Sequence, residues 1–290
     1  MTLWEATIQP FVEFSFMRRA LLGCLFVALG CAPIGVFLLL RRMSLMGDAM
    51  SHAILPGVAV GFLLAGMSVP MLSLGGLVAG LAVALAAGMT TRTTILREDA
   101  SLAAFYLISL AVGVILVSLK GNNVDLLHVL FGTVLALDDS ALLLLGGIAA
   151  MTPPMLMFIR RPLVIECFDP TFLRAVSGCG PWVHMVFLAL VVLNLVGGFQ
   201  ALGTLMAVGL MMLPAATARL WARTLGGMIG VSLLIAFAAS YFGLLLSYHA
   251  TLPSGPAIVL TAGVLLLLSI FLAPHRGMLS RHWLRSHLEG

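Results

Sequence analysis

Asp48 and His52 stand four residues apart in RRMSLMGDAMSHAILPG (residues 41–57), inside a chain that is otherwise strongly apolar. On a helix this spacing stacks the two side chains on one face, about 6 Å apart along the axis. An ionised carboxylate at membrane depth costs roughly 2.5–3.5 kcal/mol on insertion scales, so it must meet a partner, a watery cavity or a cation. A carboxylate oxygen beside an imidazole nitrogen suits a divalent transition metal. Calcium or magnesium would ask for more oxygen ligands. Pro56 adds a third group. It has no N–H, so the carbonyl of His52 loses its helical partner. Unwound carbonyls at membrane depth line cavities and coordinate ions in transporters.

Two other readings fit the same residues. Asp48 and His52 can form a hydrogen-bonded pair that packs helices together, or Asp48 can cap a helix start in interfacial water. Met43, Met46 and Met50, with Met206, Met211 and Met212 further on, raise copper(I) as a minor option, although methionine is a common gap-filler in apolar cores.

The elements that must hold these residues follow from composition. The chain has 290 residues, 61% hydrophobic and 9% charged, with a mean hydropathy of +1.15. A soluble domain carries roughly 25% charged residues, so this is an all-α polytopic membrane protein. Runs long enough to span a bilayer cover residues 16–40, 45–65, 69–89, 102–119, 140–158, 183–199, 202–220, 225–248 and 256–273. Residues 124–137 form a shorter apolar piece, read as re-entrant or interfacial. With the amino terminus outside, twelve of the fifteen basic residues fall in cytoplasmic segments and Arg18, Arg19 and Lys120 outside. This is a strong positive-inside bias. It also accounts for the net charge of +4 without a nucleic-acid partner.

Residues 1–15 read as an interfacial segment, 16–273 as the transmembrane domain and 274–290 as a basic cytoplasmic tail. Residues 159–182 read as a cytoplasmic loop holding the longest polar stretch, RRPLVIECFDPTFLRAVSGCGP. There is no GxxxxGK[ST] loop and no expected cleavable signal peptide. Cys24 and Cys31, about 10 Å apart on one helix, are too distant for a disulfide and read as buried apolar side chains. Cys167 and Cys179 are assigned to the cytoplasmic loop in reduced form. His184 is read as facing interfacial water. Small residues at four-residue spacing (Gly57 and Gly61, Gly76 and Gly80, Gly226 and Gly230) predict close helix packing in lipid.

The segment LLRRMSLMGDAMSHAILPGVAVGFLL (residues 39–64) resembles the most typical stretch of the ABC-3 family, the permease subunits of bacterial ABC importers for zinc, manganese and sometimes iron. The likeness continues at GNNVDLLHVLFGTVLAL (121–137), FDPTFLRAVSG (168–178), ALGTLMAVGLMMLPAATARL (201–220) and LPSGPAIVL (252–260), and so covers nearly the whole chain. One position departs from it: SYHATLPSG carries His249 where a non-basic residue is more usual, and both His249 and His128 read as surface groups before any role in metal entry.

The resemblance implies a fold like the vitamin B12-type (type II) importers, in the bacterial inner membrane, working as a homodimer. It implies that Asp48 and His52 form the metal path, with zinc preferred over manganese on the weak evidence of the histidine. No stably bound cofactor is implied. ATP would be used by a separate ATPase subunit docked at residues 166–178. There Asp169 and Pro170 would start a short helix, and Phe172 and Leu173 would present an apolar face. A periplasmic or extracellular metal-binding protein would dock on the outer loops. The rival readings are a proton-driven secondary metal transporter and an intramembrane metalloenzyme. The latter lacks an HExxH motif and any third acidic residue in a span, since Glu166 and the other glutamates read as loop residues.

Overall fold

The structure is a computed structural model. It describes residue 4 and residues 7–66, 68–119, 137–168, 172–173 and 178–273. All the elements defined there are helices. They are α1 (Gln9–Glu13), α2 (Ser15–Leu40), α3 (Met46–Ala53), α4 (Leu55–Ala65), α5 (Val69–Thr93), α6 (Glu98–Leu119), α7 (Asp139–Phe168), α8 (Gly180–Leu202), α9 (Thr204–Trp221), α10 (Leu225–Ala250) and α11 (Ser254–Leu272). Among the described residues, 9 stretches are long and apolar enough to cross a membrane, with α3 and α4 together making one of them. The expected re-entrant piece, His128 and the basic tail lie outside the described residues.

The spans are ordered around two central helices. The α2 span and the α8 span are each 72% buried within the chain, against 22–44% for the others. Helix α2 packs on α7, α8, α9 and α10, and α8 packs on α5, α7 and α9. A helix surrounded by others has no polar face: α2 is apolar all round beyond Arg18 and Arg19, and in the middle of α8 the one polar side chain, Asn194, is buried and donates to the Thr152 hydroxyl at 2.9 Å. The amino-terminal segment folds back on α10: the Phe11 ring stacks on Tyr241 at 5.0 Å, and the Tyr241 hydroxyl donates to the Thr7 carbonyl at 2.9 Å.

Close helix approach follows two of the three small-residue pairs. A Cβ on Gly57 would overlap the Gly75 carbonyl, and one on Gly61 would lie 2.6 Å from the Met71 carbonyl oxygen, so α4 and α5 touch backbone to backbone. Gly76 and Gly80 seat Val196 and Val192 of α8. Gly226 and Gly230 face open space, which corrects the third pair.

Among its described residues, the region read as a cytoplasmic loop is largely helix. Helix α7 runs for 30 residues, about 45 Å at 1.5 Å per residue, against a hydrocarbon core of about 30 Å. Its polar end, with exposed Arg160 and Arg161, therefore continues beyond the apolar layer as helix. Cys167 lies on that helix, half-buried, rather than in a loop. The amino-terminal end of α7 is capped by Asp138, whose carboxylate accepts from Ala141 N at 2.9 Å and from the Ser140 hydroxyl at 2.6 Å. Arg19 bridges to Asp139 at 3.0 Å, tying α2 to the same end.

A candidate metal path on a broken helix

The turn from α2 into α3 is closed by backbone hydrogen bonds. Met43 N donates to Leu38 O at 2.9 Å and Arg42 N to Leu39 O at 3.2 Å. Arg42 between them has φ +60. This is a Schellman turn with arginine in the left-handed position that glycine usually fills. Arg219 of α9 adds a donor to the Leu39 carbonyl at 3.4 Å.

Helix α3 then presents two different faces. Met46 and Met50 are 3% and 0% exposed, packed in the core with Met43. Gly47 lets Met212 and Val208 of α9 lie against the helix. Asp48 and His52 are each two residues from those methionines, about 200° around the axis, and so lie on the other side. The methionines are turned away from the pair and pack with Met206, Met211 and Met212 in the apolar core.

His52 Nε2 and Asp48 Oδ1 are 3.9 Å apart, with side chains 34% and 69% exposed. That distance is too long for a hydrogen bond. The pair is therefore not a satisfied packing contact. Nor does Asp48 cap the helix: it lies in the first turn, and no side chain bonds the amino-terminal N–H groups. It does lie where the helix dipole favours an anion, with His52 in the last turn where a cation is favoured. The Tyr106 ring of α6 lies 6.5 Å from the His52 ring. What remains is a carboxylate and an imidazole side by side on one accessible face, able to offer one oxygen and one nitrogen to a metal.

The helix breaks immediately after. Helix α3 ends at Ala53 and α4 begins at Leu55, with Pro56 in its first turn. Ser109 of α6 donates to the Ala53 carbonyl at 2.8 Å, satisfying one group released by the break. A Cβ on Gly113 would come within 3.1 Å of Pro56 N, so α6 passes close to the turn. The His52 carbonyl, expected to stand open as a third ligand, accepts the N–H of Ile54 instead.

Among the described residues, no group of three or more His, Cys, Asp or Glu could hold a metal. Two such side chains from one chain fall short of the four ligands that zinc usually takes.

Near the carboxyl end of α7, several expectations are corrected. His184 is buried, 4% exposed, rather than in interfacial water. Glu166 is on α7 with its side chain 10% exposed, and Arg41, read as a cytoplasmic charge, has its side chain 8% exposed. Of the expected docking residues, Phe172 is 53% exposed, but Leu173 is 4% exposed, packed near Gly180, and cannot share a surface face. Phe168, at the end of α7, is 78% exposed. Asp169 and Pro170 lie outside the described residues. Exposed His249 lies in the last turn of α10, beside Tyr248.

The ABC 3 transport family matches residues 13–273. The chain belongs to that family. ABC-3 relatives align along almost their whole length: the manganese import system permease protein ScaB of Streptococcus parasanguinis is 34% identical, over 97% of this chain and 98% of the relative. The manganese transport system membrane protein MntC of Halalkalibacterium halodurans is 32% identical over 94% and 92%. A solved structure described as PsaBC from Streptococcus pneumoniae in complex with Fab superposes with a TM-score of 0.80 at 34% identity, over 93% of this chain and 96% of that one. A metal-chelate type ABC transporter in an inward-facing conformation gives 0.70 at 15% identity, a likeness of fold alone. This ABC-3 chain is a multi-pass permease of the bacterial plasma membrane, with the all-helical fold of ABC transporter permeases.

Proposed function

We propose that the protein is the permease subunit of an ABC importer for a divalent transition metal, with manganese rather than zinc as its first substrate. The change from the sequence-based preference has a plain cause. The lean towards zinc rested on one histidine, and a carboxylate oxygen serves manganese at least as well. Relatives of the same length are named for manganese import, and one at 30% identity, from Haemophilus influenzae, as a probable iron transport protein.

The observation that carries the reading is the placement of Asp48 and His52: on one accessible face, outside hydrogen-bond distance of each other, at a break in a spanning helix. Two copies related by a two-fold axis along this face bring two carboxylates and two imidazoles to one passing ion. Weak, shared ligation of this kind lets the ion leave again. A separate ATPase docks at the inner end on residues 168–178, around exposed Phe168 and Phe172, and an external metal-binding protein delivers the ion to the outer loops. A proton-driven carrier would need neither partner, and none of the relatives named above is described as one.

The test is uptake of radiolabelled manganese and zinc by cells lacking their own importers, supplied with this permease and its partner subunits. Manganese uptake that excess zinc fails to abolish supports the assignment. Zinc uptake without manganese uptake overturns the choice of metal. Dimers with one Asp48→Asn copy test the shared site: manganese binding as tight as in the intact dimer overturns it.

A further inference from the structure

Three charged or titratable side chains meet at the inner end of the bundle, from positions far apart in the chain. Arg41 Nη2 lies 2.7 Å from His184 Nδ1 and 3.4 Å from Glu166 Oε1. An arginine N–H only donates, so Nδ1 accepts, and the neutral ring of His184 carries its proton on Nε2. His184 Nδ1 is also 3.6 Å from Glu166 Oε1, too far for a hydrogen bond between them. The Arg41 guanidinium lies 5.5 Å over the Phe187 ring, and Phe187 meets Phe37 of α2 edge-on at 6.2 Å. Gly88 of α5 closes the side towards His184 Nε2. Four helices (α2, α5, α7 and α8) thus enclose one buried ion pair and its histidine.

Such a pair is poor evidence for stability, because apolar groups of similar volume often do as well or better. Its best-attested use is to fix register between elements. Here the elements are informative. Arg41 ends α2, and the Schellman turn fastens the next residues so that α3, with Asp48 and His52, starts from a fixed point. Glu166 lies in the last turn of α7, three residues before Asp169 in the chain, with its side chain buried against Arg41.

We propose that the Arg41–Glu166–His184 cluster is the tie through which movement of the ATPase-facing end of α7 reaches the helix that carries Asp48 and His52, without itself shaping the resting site. This rests on the metal-path and docking reading above. The three are positioning residues: displacement of the α7 end moves Arg41 with it, and the fastened turn passes the movement to α3.

The experiment uses the whole transporter in proteoliposomes, with ATPase and binding protein. It measures manganese moved per ATP hydrolysed and manganese bound by the permease. The informative variant is Arg41→Met with Glu166→Leu, which removes both charges, keeps the volume filled and so keeps the fold. Wild-type manganese binding and ATPase co-purification, with at least a tenfold loss of manganese moved per ATP, support the tie. His184→Ala, which leaves the ion pair in place, should give a smaller loss in the same ratio. Unchanged transport per ATP in the double variant overturns the tie and shows the cluster only fills space. Loss of manganese binding in the double variant also overturns it, because the cluster would then be shaping the site directly. Asp48→Asn runs alongside. If that variant transports normally, the metal-path reading itself has failed. If it does not while the double variant does, only the tie has failed.

Discussion

Replacing Asp48 with Asn, and separately His52 with Ala, separates a transport role from a packing role. The two groups are 3.9 Å apart and substantially exposed. An exposed i,i+4 ion pair contributes about 0.3–0.5 kcal/mol. For a chain of this size 1 kcal/mol moves Tm by about 2–4 °C, so either variant should melt within about 2 °C of wild type. Metal handling should respond far more. Losing even an outer-shell partner of a metal ligand costs about 10–100-fold in affinity or activity, and a direct ligand should cost at least that. In a site shared by two copies each substitution occurs twice, so manganese uptake should fall by about 100-fold or more. The assay pairs thermal unfolding of the purified permease with radiolabelled manganese uptake by the assembled transporter. A fall in Tm of about 5 °C or more with uptake intact would refute the reasoning, since it would make the pair a packing element after all.

Gly57→Ala should lower stability by about 1–3 kcal/mol, the usual cost of overpacking, because its Cβ would overlap the Gly75 carbonyl; thermal unfolding in detergent reads this directly. Arg42→Gly should raise stability by about 1 kcal/mol, because arginine carries the Cβ penalty at φ +60 and glycine does not, and an unchanged or lower Tm would contradict it. The Ser140 hydroxyl and the Ala141 N–H hold the Asp138 carboxyl below the usual carboxylate range. A depressed folded value stabilises above the unfolded pKa of about 3.9, and that contribution fades as pH falls through the folded value. Asp138→Ala should therefore cost about 1 kcal/mol at pH 7, and the gap between mutant and wild-type Tm should narrow towards pH 3.

The spans were legible because a bilayer demands length and apolarity together, and both are visible along the chain. The break beside His52 was legible from Pro56, which removes a backbone donor wherever the rest of the fold places it. The inner cluster was not. Glu166 and His184 are separated from Arg41 by 125 and 143 residues. Taken one at a time, a charge near a span end reads as solvated. Only the packing of α2, α7 and α8 shows that water is excluded there. The end of α7 was missed for a related reason: its charges signalled the end of the membrane, which does not have to be the end of the helix. Leu173 shows the limit at single-residue scale, since an apolar residue in a short amphipathic stretch can face inward as easily as outward.

The central place of α2 also has a bearing on how the protein is made. Among the described residues, the spanning helices that pack on it, α7, α8, α9 and α10, begin at Asp139 and later. When α2 leaves the ribosome, more than ninety residues separate it from the first of them. Beyond Arg18 and Arg19 its surface is apolar on every side, which lets it wait in lipid. The bundle cannot close until α8 has been inserted. Synthesis arrested before residue 180 should leave the first spans without one of their two central helices, exposed to the quality-control proteases of the membrane.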